Sequence, residues 1–276
     1  MPPTPTQLDK AQRFRALHQG PAAFVMPNPW DGGSARLLES LGFAALATSS
    51  GASAGTLGRR DGAVSRDEAL AMARVIVAAT DLPVSADLEN GFGDAPEDAA
   101  LTIRLAAEAG LVGGSIEDFS GNADSPLYDI GHATERIAAA AEAARALPFP
   151  FTLTARAEGF LRGRPDLDDT LLRLQAYERA GADVLFAPVL PNLAAVRTVC
   201  AALAKPLNFM VGVRGLSFSV AELQAAGVRR ISLATSLYKA AMTGLHVAAR
   251  EVATSGTFGY VETGLGSAEL AAFMRP

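Results

Sequence analysis

Eight short apolar runs, each followed by a longer stretch with helical spacing, repeat along the 276 residues. This alternation is the strongest constraint on the fold, because a strand followed by a helix returns the chain to start a second strand parallel to the first. The runs are Ala23 to Met26, Ala44 to Thr48, Val84 to Leu88, Gly114 to Glu117, Phe151 to Ala155, Val184 to Ala187, Leu207 to Val211 and Arg230 to Leu233. Val184-Leu-Phe-Ala187 is apolar throughout, as a strand covered on both faces requires. Eight such units predict an α/β fold, a closed (β/α)8 TIM barrel rather than an open doubly wound sheet. No break marks a second domain, so residues 1–276 read as one barrel domain, with 256–276 as a C-terminal extension.

Helix boundaries carry their own signals. Ser65-Arg-Asp-Glu68 and Ser219-Val-Ala-Glu222 predict capping boxes, in which Ser and Glu satisfy orphan amides at a helix start. Asp94 ahead of Pro96 predicts a capping acid. Gly42, Gly110, Gly181 and Gly227 each follow an apolar helical stretch and predict left-handed C-terminal caps. After the eighth strand, Ser236 to Val252 predicts a long helix and Ser267 to Met274 a short one. The short one exceeds what a barrel needs and is expected to cap the barrel or to pack on a neighbouring subunit.

Composition matters here for what it excludes. With 49% hydrophobic and 19% charged residues the chain can bury a substantial core, and a formal charge of −5 offers no basic surface for nucleic acid. Its apolar stretches are interrupted well before the ~18 residues a membrane helix needs, so no membrane partner is expected. The first twenty residues have no apolar core of the secretory kind, and the single Cys200 allows no internal disulfide. A soluble cytoplasmic protein is the expectation.

Barrels of this kind carry their chemistry at the C-terminal ends of the strands. The second strand leads into Thr48-Ser-Ser-Gly-Ala-Ser-Ala-Gly55, whose small residues either free backbone amides for an anion or form a flexible turn. The third leads into Asp87-Leu-Glu89-Asn-Gly-Phe-Gly93, and on a continuing strand the acids at i and i+2 would face the same way. The fourth ends in Ile116-Glu117-Asp118 and the fifth in Thr154-Ala-Arg156. Each acid alone reads as readily as a helix cap or a solvated loop charge. Their placement on successive strands instead describes a hard-cation site beside an anion clamp, better suited to Mg2+ or Mn2+ than to Zn2+.

Taken together, Ser50-Gly51-Ala52, Leu57-Gly-Arg-Arg-Asp61, Asp87 to Gly93, Ile116-Glu117-Asp118 and Ala155-Arg156 resemble the isocitrate lyase and phosphoenolpyruvate mutase superfamily. The resemblance runs from the first strand to at least the seventh and rests on the order and spacing of five motifs. It implies a Mg2+-dependent barrel enzyme that makes or breaks a carbon–carbon or carbon–phosphorus bond of a small 2-oxo acid. It also implies a homodimer or homotetramer with an exchanged C-terminal helix. By that resemblance Asp87 would ligate the metal directly, and Asp61, Glu89 and Glu117 directly or through its waters. Ser50, Gly51 and Ala52 would bind the substrate carboxylate and carbonyl, Asn208 matches a substrate-binding asparagine of the lyases, and Asn122 stands in a loop where mutase-like members carry one. Arg156, contacting the reacting anion, and Asp61 are the candidate catalytic side chains.

Departures from the pattern narrow the chemistry. The lyases carry a Lys-rich, Cys-Gly-His segment after the fourth strand, whereas this chain reads Phe119-Ser-Gly-Asn-Ala-Asp-Ser-Pro126. Cys200 falls inside the sixth helix and reads as an inert thiol. Ala187-Pro188-Val189 lacks the Glu or His that relatives place after the sixth strand, and His132 reads as a loop or capping residue. None of Lys10, Lys205 and Lys239 stands at a strand's C-terminal end, which excludes Schiff-base aldol chemistry. The leading expectation is a lyase or decarboxylase of an oxaloacetate-like 2-oxo acid working through a metal-stabilised enolate. The alternatives are carbon–phosphorus chemistry of the phosphoenolpyruvate mutase or carboxyphosphonate phosphorylmutase kind, and a catalytically weak 2-oxo-acid-binding protein.

Overall fold

In the computed structural model, which describes residues 4–274, eight parallel strands form one sheet in the order β1-β8-β7-β6-β5-β4-β3-β2. Residues 1–3 and 275–276 of the expected domain and extension lie outside the described residues. The strands are β1 Phe24–Met26, β2 Leu46–Ala47, β3 Val84–Asp87, β4 Gly113–Glu117, β5 Thr152–Arg156, β6 Val184–Phe186, β7 Leu207–Met210 and β8 Arg230–Ser232. Helix α1 Gln7–Gln19 precedes them, α2 Gly32–Ser40 follows β1, and α3 Ser50–Thr56 and α4 Arg66–Ala79 follow β2. The next four strands are followed in turn by α5 Pro96–Glu108, α6 Ile130–Arg145, α7 Leu167–Ala180 and α8 Leu193–Ala202. After β7 comes α9 Val220–Ala225, and after β8 come α10 Ser236–Ser255 and α11 Ser267–Phe273. This is the (β/α)8 TIM barrel that the alternation predicts.

The barrel is nearly closed, and the seam lies between β1 and β2. Strand β2 is two residues long where the sequence predicts five, because its end is taken up by other partners. Ser49 already caps α3, and the Thr48 carbonyl accepts from Asn28 Nδ2 at 2.9 Å instead of joining a ladder. Asn28 Oδ1 in turn accepts from the Leu233 amide at 2.9 Å, and one backbone bond, Ala47 N to Pro27 O at 3.1 Å, crosses the seam directly. One buried side chain thus ties the ends of β1, β2 and β8 together. Replacing it by an apolar residue of similar size would orphan both backbone groups, at about 1–3 kcal/mol each. Asn28→Leu is therefore expected to lower unfolding free energy by about 2–4 kcal/mol in a urea titration with unchanged slope.

Both capping boxes form, Ser65 with Glu68 at α4 and Ser219 with Glu222 at α9. Gly42, Gly110, Gly181 and Gly227 all adopt positive φ at helix ends. The expected cap at Asp94 is corrected: Ala95 is the N-cap of α5, Asp98 Oδ2 accepts its amide at 3.2 Å, and Asp94 instead accepts from the Tyr128 hydroxyl. Asp98 lies within the first turn, from which its carboxylate can reach back to the start of the helix.

The layer between strands and helices is apolar, with Ile76, Ile103, Ile116, Leu153 and Tyr177 fully buried. The inside of the barrel is polar, where branched apolar residues are usual: Ser85, Ser115, Thr154, Asn208, Arg230 and Ser232 are all buried there. Helix α1 closes the N-terminal end. Its Phe14 packs with Met26, Ala45, Ala47 and Val112, while Lys10 Nζ donates to Thr80 O and Gln7 Nε2 to Leu111 O. At the other end of the chain, none of the residues of α10 is buried, and Met242, Leu245, Val247 and Val252 lie exposed along it. No helix among the described residues is long and apolar enough to cross a membrane.

Candidate active site

Strands β3, β4 and β5 end at Asp87, Glu117 and Arg156, and the register pairs Glu117 directly with Arg156. Adjacent strand ends of a parallel barrel open on one mouth, so the three side chains meet without help from loops. Arg156 Nη1 lies 2.9 Å from Asp87 Oδ1 and 3.2 Å from Glu117 Oε2. Its Nε and Nη2 both donate to Glu158 Oε1, at 3.0 and 2.8 Å. Arg162 completes the cluster, 3.2 Å from Glu117 Oε1 and from Glu158 Oε2, with its guanidinium 3.5 Å from the centre of the Phe119 ring. Neither Glu158 nor Arg162 belongs to the strand-end motifs. The available signal for Glu158 is its spacing of two from Arg156, whereas Arg162 arrives on a turn that no local pattern announces.

Glu89 does not share a strand face with Asp87. Strand β3 stops at Asp87 and Glu89 has φ +48°, so the same-face expectation is corrected, and the Glu89 amide instead points at Asp87 Oδ1, 3.3 Å away. Among the described residues, Glu89, Phe92, Val189 and Ala234 are the non-glycines with positive φ, and all follow strand ends at the mouth. Such conformations cost about 1–3 kcal/mol each and persist only where surroundings hold them. Here buried Arg136 donates to the carbonyls of Asn90, Gly93 and Asp94, Arg66 Nη2 to Gly91 O and Phe92 O, and Thr102 Oγ1 to Gly91 O.

The run of small residues after β2 is a helix rather than a loop. Ser49 caps it, Ala52 is buried with its amide 3.5 Å from Ser49 Oγ, and the Ser50 amide donates to Asp87 Oδ2 at 3.3 Å. Gly51 has no room for a side chain: a Cβ would lie 2.8 Å from Thr235 Cγ2 and 3.3 Å from Asp61 Oδ2. Exposed Asp61 therefore rests its carboxylate against the first turn of α3. Beneath the mouth, a cavity of about 70 Å3 is bordered by Asp87, Arg156, Asn208 and Arg230. Asn208 donates to Ser232 Oγ at 3.0 Å and accepts from Arg230 Nε at 2.9 Å. Asn122 is not brought to this cluster; it is exposed, and its Oδ1 accepts the Asp124 amide in a local turn. His132 is likewise apart, its Nε2 2.8 Å from Asp94 O.

Carboxylates outnumber guanidiniums at the mouth, and their protonation reflects it. Burial pushes the Asp87 carboxyl upward, but Arg156 and the amides of Ser50 and Glu89 outweigh it and hold the group below its ordinary range. Burial, with Asp87 and Asp61 nearby, raises Glu89 to about 7. Burial also raises Glu117 well above its ordinary value, with Glu158 adding to the effect. Deeper in the barrel, burial and then Arg156 lower Arg230 to about 9.

Among the described residues no three of Asp, Glu, His and Cys converge into a closed metal cage. A small hard cation that keeps most of its waters needs only one or two carboxylates, however, and the mouth offers more carboxyl oxygens than its guanidiniums can pair. Asp87 and Glu117, both beside Arg156 Nη1, fit that role, with Glu89 and Asp61 near enough to act on its waters.

Residues 14–253 match the family described as phosphoenolpyruvate phosphomutase. A solved structure from Burkholderia cenocepacia J2315 is 51% identical with a TM-score of 0.95, over 97% of this chain and 96% of that one. A 2-methylisocitrate lyase of Bacillus subtilis is 32% identical over 188 residues, 66% of this chain and 60% of the relative. An oxaloacetate decarboxylase of Bradyrhizobium diazoefficiens is 29% identical over 205 residues, 72% of this chain and 69% of the relative.

Proposed function

The chain belongs to the phosphoenolpyruvate phosphomutase family, whose members are carbon–carbon lyases or mutases, and we propose that it is a Mg2+-dependent lyase or decarboxylase of a small, oxaloacetate-like 2-oxo acid. The observation that carries this reading is the Asp87–Arg156–Glu117 cluster, in which a planar guanidinium stands among surplus carboxylates at the barrel mouth. When bound, Mg2+ or Mn2+ held by Asp87 and Glu117, directly or through water, would supply the electron sink for an enolate.

The chain's own residues do the rest. Arg156 is spanned by Asp87, Glu117 and Glu158, so it meets a substrate carboxylate by exchanging one of these partners or through its second Nη2 hydrogen, with the Phe186 ring centre 5.0 Å from its guanidinium. The Ser50 amide at the start of α3 already faces Asp87, and Ser50 and Gly51 beside it are assigned to the substrate's carboxylate and keto oxygen. Asn208 Nδ2 lies deeper in the same cavity. Loss of CO2 needs an electron sink, an anion clamp and a proton, and water at the open mouth can provide the proton. Carbon–phosphorus chemistry is the second reading, favoured by the family match itself, although the end of β6, Ala187-Pro188-Val189, brings no histidine to the mouth.

Turnover on a panel of 2-oxo acids tests both readings against a binding-only protein. Activity is expected to disappear with EDTA and to return with Mg2+ or Mn2+, but poorly with Zn2+ in an all-oxygen site. Undiminished turnover after complete chelation would overturn the metal assignment. Calorimetric binding without turnover would leave a binding protein. The exposed apolar length of α10 supports a homodimer or homotetramer, which light scattering of the eluting protein would measure. A reducing cytoplasm suits the lone Cys200, whose thiol burial pushes up to about 11.

A further inference from the structure

The N-terminal end of such a barrel serves stability rather than catalysis. Here, between α1, the end of α6 and the starts of β5, β6 and β7, lies a cavity of about 700 Å3. That is within the ~300–1,000 Å3 of ordinary small-molecule sites, and it opens at the opposite end of the strands from Arg156. Its apolar wall is Leu147, Phe149 and Phe151. Its cations come from three separate elements: Arg15 on α1, Arg145 at the end of α6, and Lys205 ahead of β7.

These charges are not used up within the cavity. Asp183 is the single acid among the lining residues, all three cations act on it, and its Oδ2 already accepts the Leu153 amide at 2.9 Å. Arg145 is anchored on backbone rather than on a carboxylate, with Nη2 donating to Gly181 O at 3.0 Å. Gly181 makes that approach possible, since a Cβ there would lie 2.4 Å from the same nitrogen. A cluster of cations over aromatic and aliphatic walls, in a chain of net charge −5, selects for negative charge joined to an apolar body.

We propose that this cavity is a second ligand site for a small amphipathic organic anion, its carboxylate or phosphate head at Arg15, Arg145 and Lys205 and its apolar body over Leu147, Phe149 and Phe151. The site is separate from the mouth and does not depend on the reaction performed there.

Titration of the full chain with 8-anilinonaphthalene-1-sulfonate, an aromatic sulfonate, tests it directly. One saturable fluorescent site per chain is expected, displaced by phenyl phosphate or by 3-phenylpropionate, and the stronger competitor identifies the preferred head group. Arg15→Glu combined with Lys205→Glu, both exposed positions, is expected to raise the probe's Kd about tenfold or more. Ala204→Trp, which puts an indole into the cavity without changing charge, is expected to weaken binding about tenfold or more. Circular dichroism and Tm should match the parent protein in each variant, and Leu245→Glu on the exposed face of α10 should bind the probe as the parent does. Probe binding that keeps its Kd in either the charge reversal or the tryptophan variant, or that is lost in Leu245→Glu, overturns the proposal.

Discussion

Asp87→Ala is expected to lower turnover by about a thousandfold or more while the barrel stays folded. The carboxylate sits where three demands coincide: it faces Arg156 Nη1 at 2.9 Å, it accepts the Ser50 and Glu89 amides at 3.3 Å, and it is the leading metal ligand of the proposed site. A methyl group meets none of them. Stability should fall far less, by about 1–3 kcal/mol, because Arg156 keeps Glu117 and Glu158 and removing a buried charge relieves desolvation. Asp87→Asn separates charge from shape, and a comparable loss of turnover in both variants would locate the effect in the charge. Steady-state kinetics on the active member of the 2-oxo acid panel, with circular dichroism as the folding control, measure both quantities. Parent-like turnover in Asp87→Ala would remove the residue from the site.

Arg156→Lys is expected to cost about a hundredfold in turnover despite keeping the positive charge. Arginine reaches three carboxylates at once through three nitrogens, whereas an ammonium is a point charge that cannot span them. The buried Glu158, with no exposed side-chain surface, would lose its paired bonds, so a stability loss of about 2–4 kcal/mol should accompany the kinetic change. A contact that strengthens as the enolate forms places the loss in kcat, and one that only holds the ground-state substrate places it in KM. Unchanged kcat and KM would show that the fork takes no part.

The strand-end residues were legible in advance for a geometric reason. Once eight strand–helix units imply a parallel barrel, the last residue of each strand is committed to one mouth, so Asp87, Glu117 and Arg156 can be placed together from their positions in the chain alone. Asn122 could not be placed that way, because it lies in a loop whose course depends on the Ser120 amide donating to Pro126 O and on Asn122 itself bonding to Ser120 and Asp124. Glu89 shows the limit of strand periodicity: the spacing of two is in the sequence, but Arg136 from α6 and Arg66 from α4 hold its loop in a conformation that ends the strand.

The sequence by itself determined the barrel, its capping boxes and left-handed helix ends, and the acids and arginine at successive strand ends, because each of these follows from local spacing or from chain order. Only the tertiary structure decided the seam that Asn28 closes, the joining of Glu158 and Arg162 to the mouth, and the polar shaft in which Arg230 reaches Thr154, seventy-six residues away in sequence, at 3.0 Å. It also decided that α10 leaves an apolar length without cover in this chain. These features depend on which distant side chains lose water together and which backbone groups then need a partner, and that is a property of the assembled barrel rather than of any stretch of residues within it.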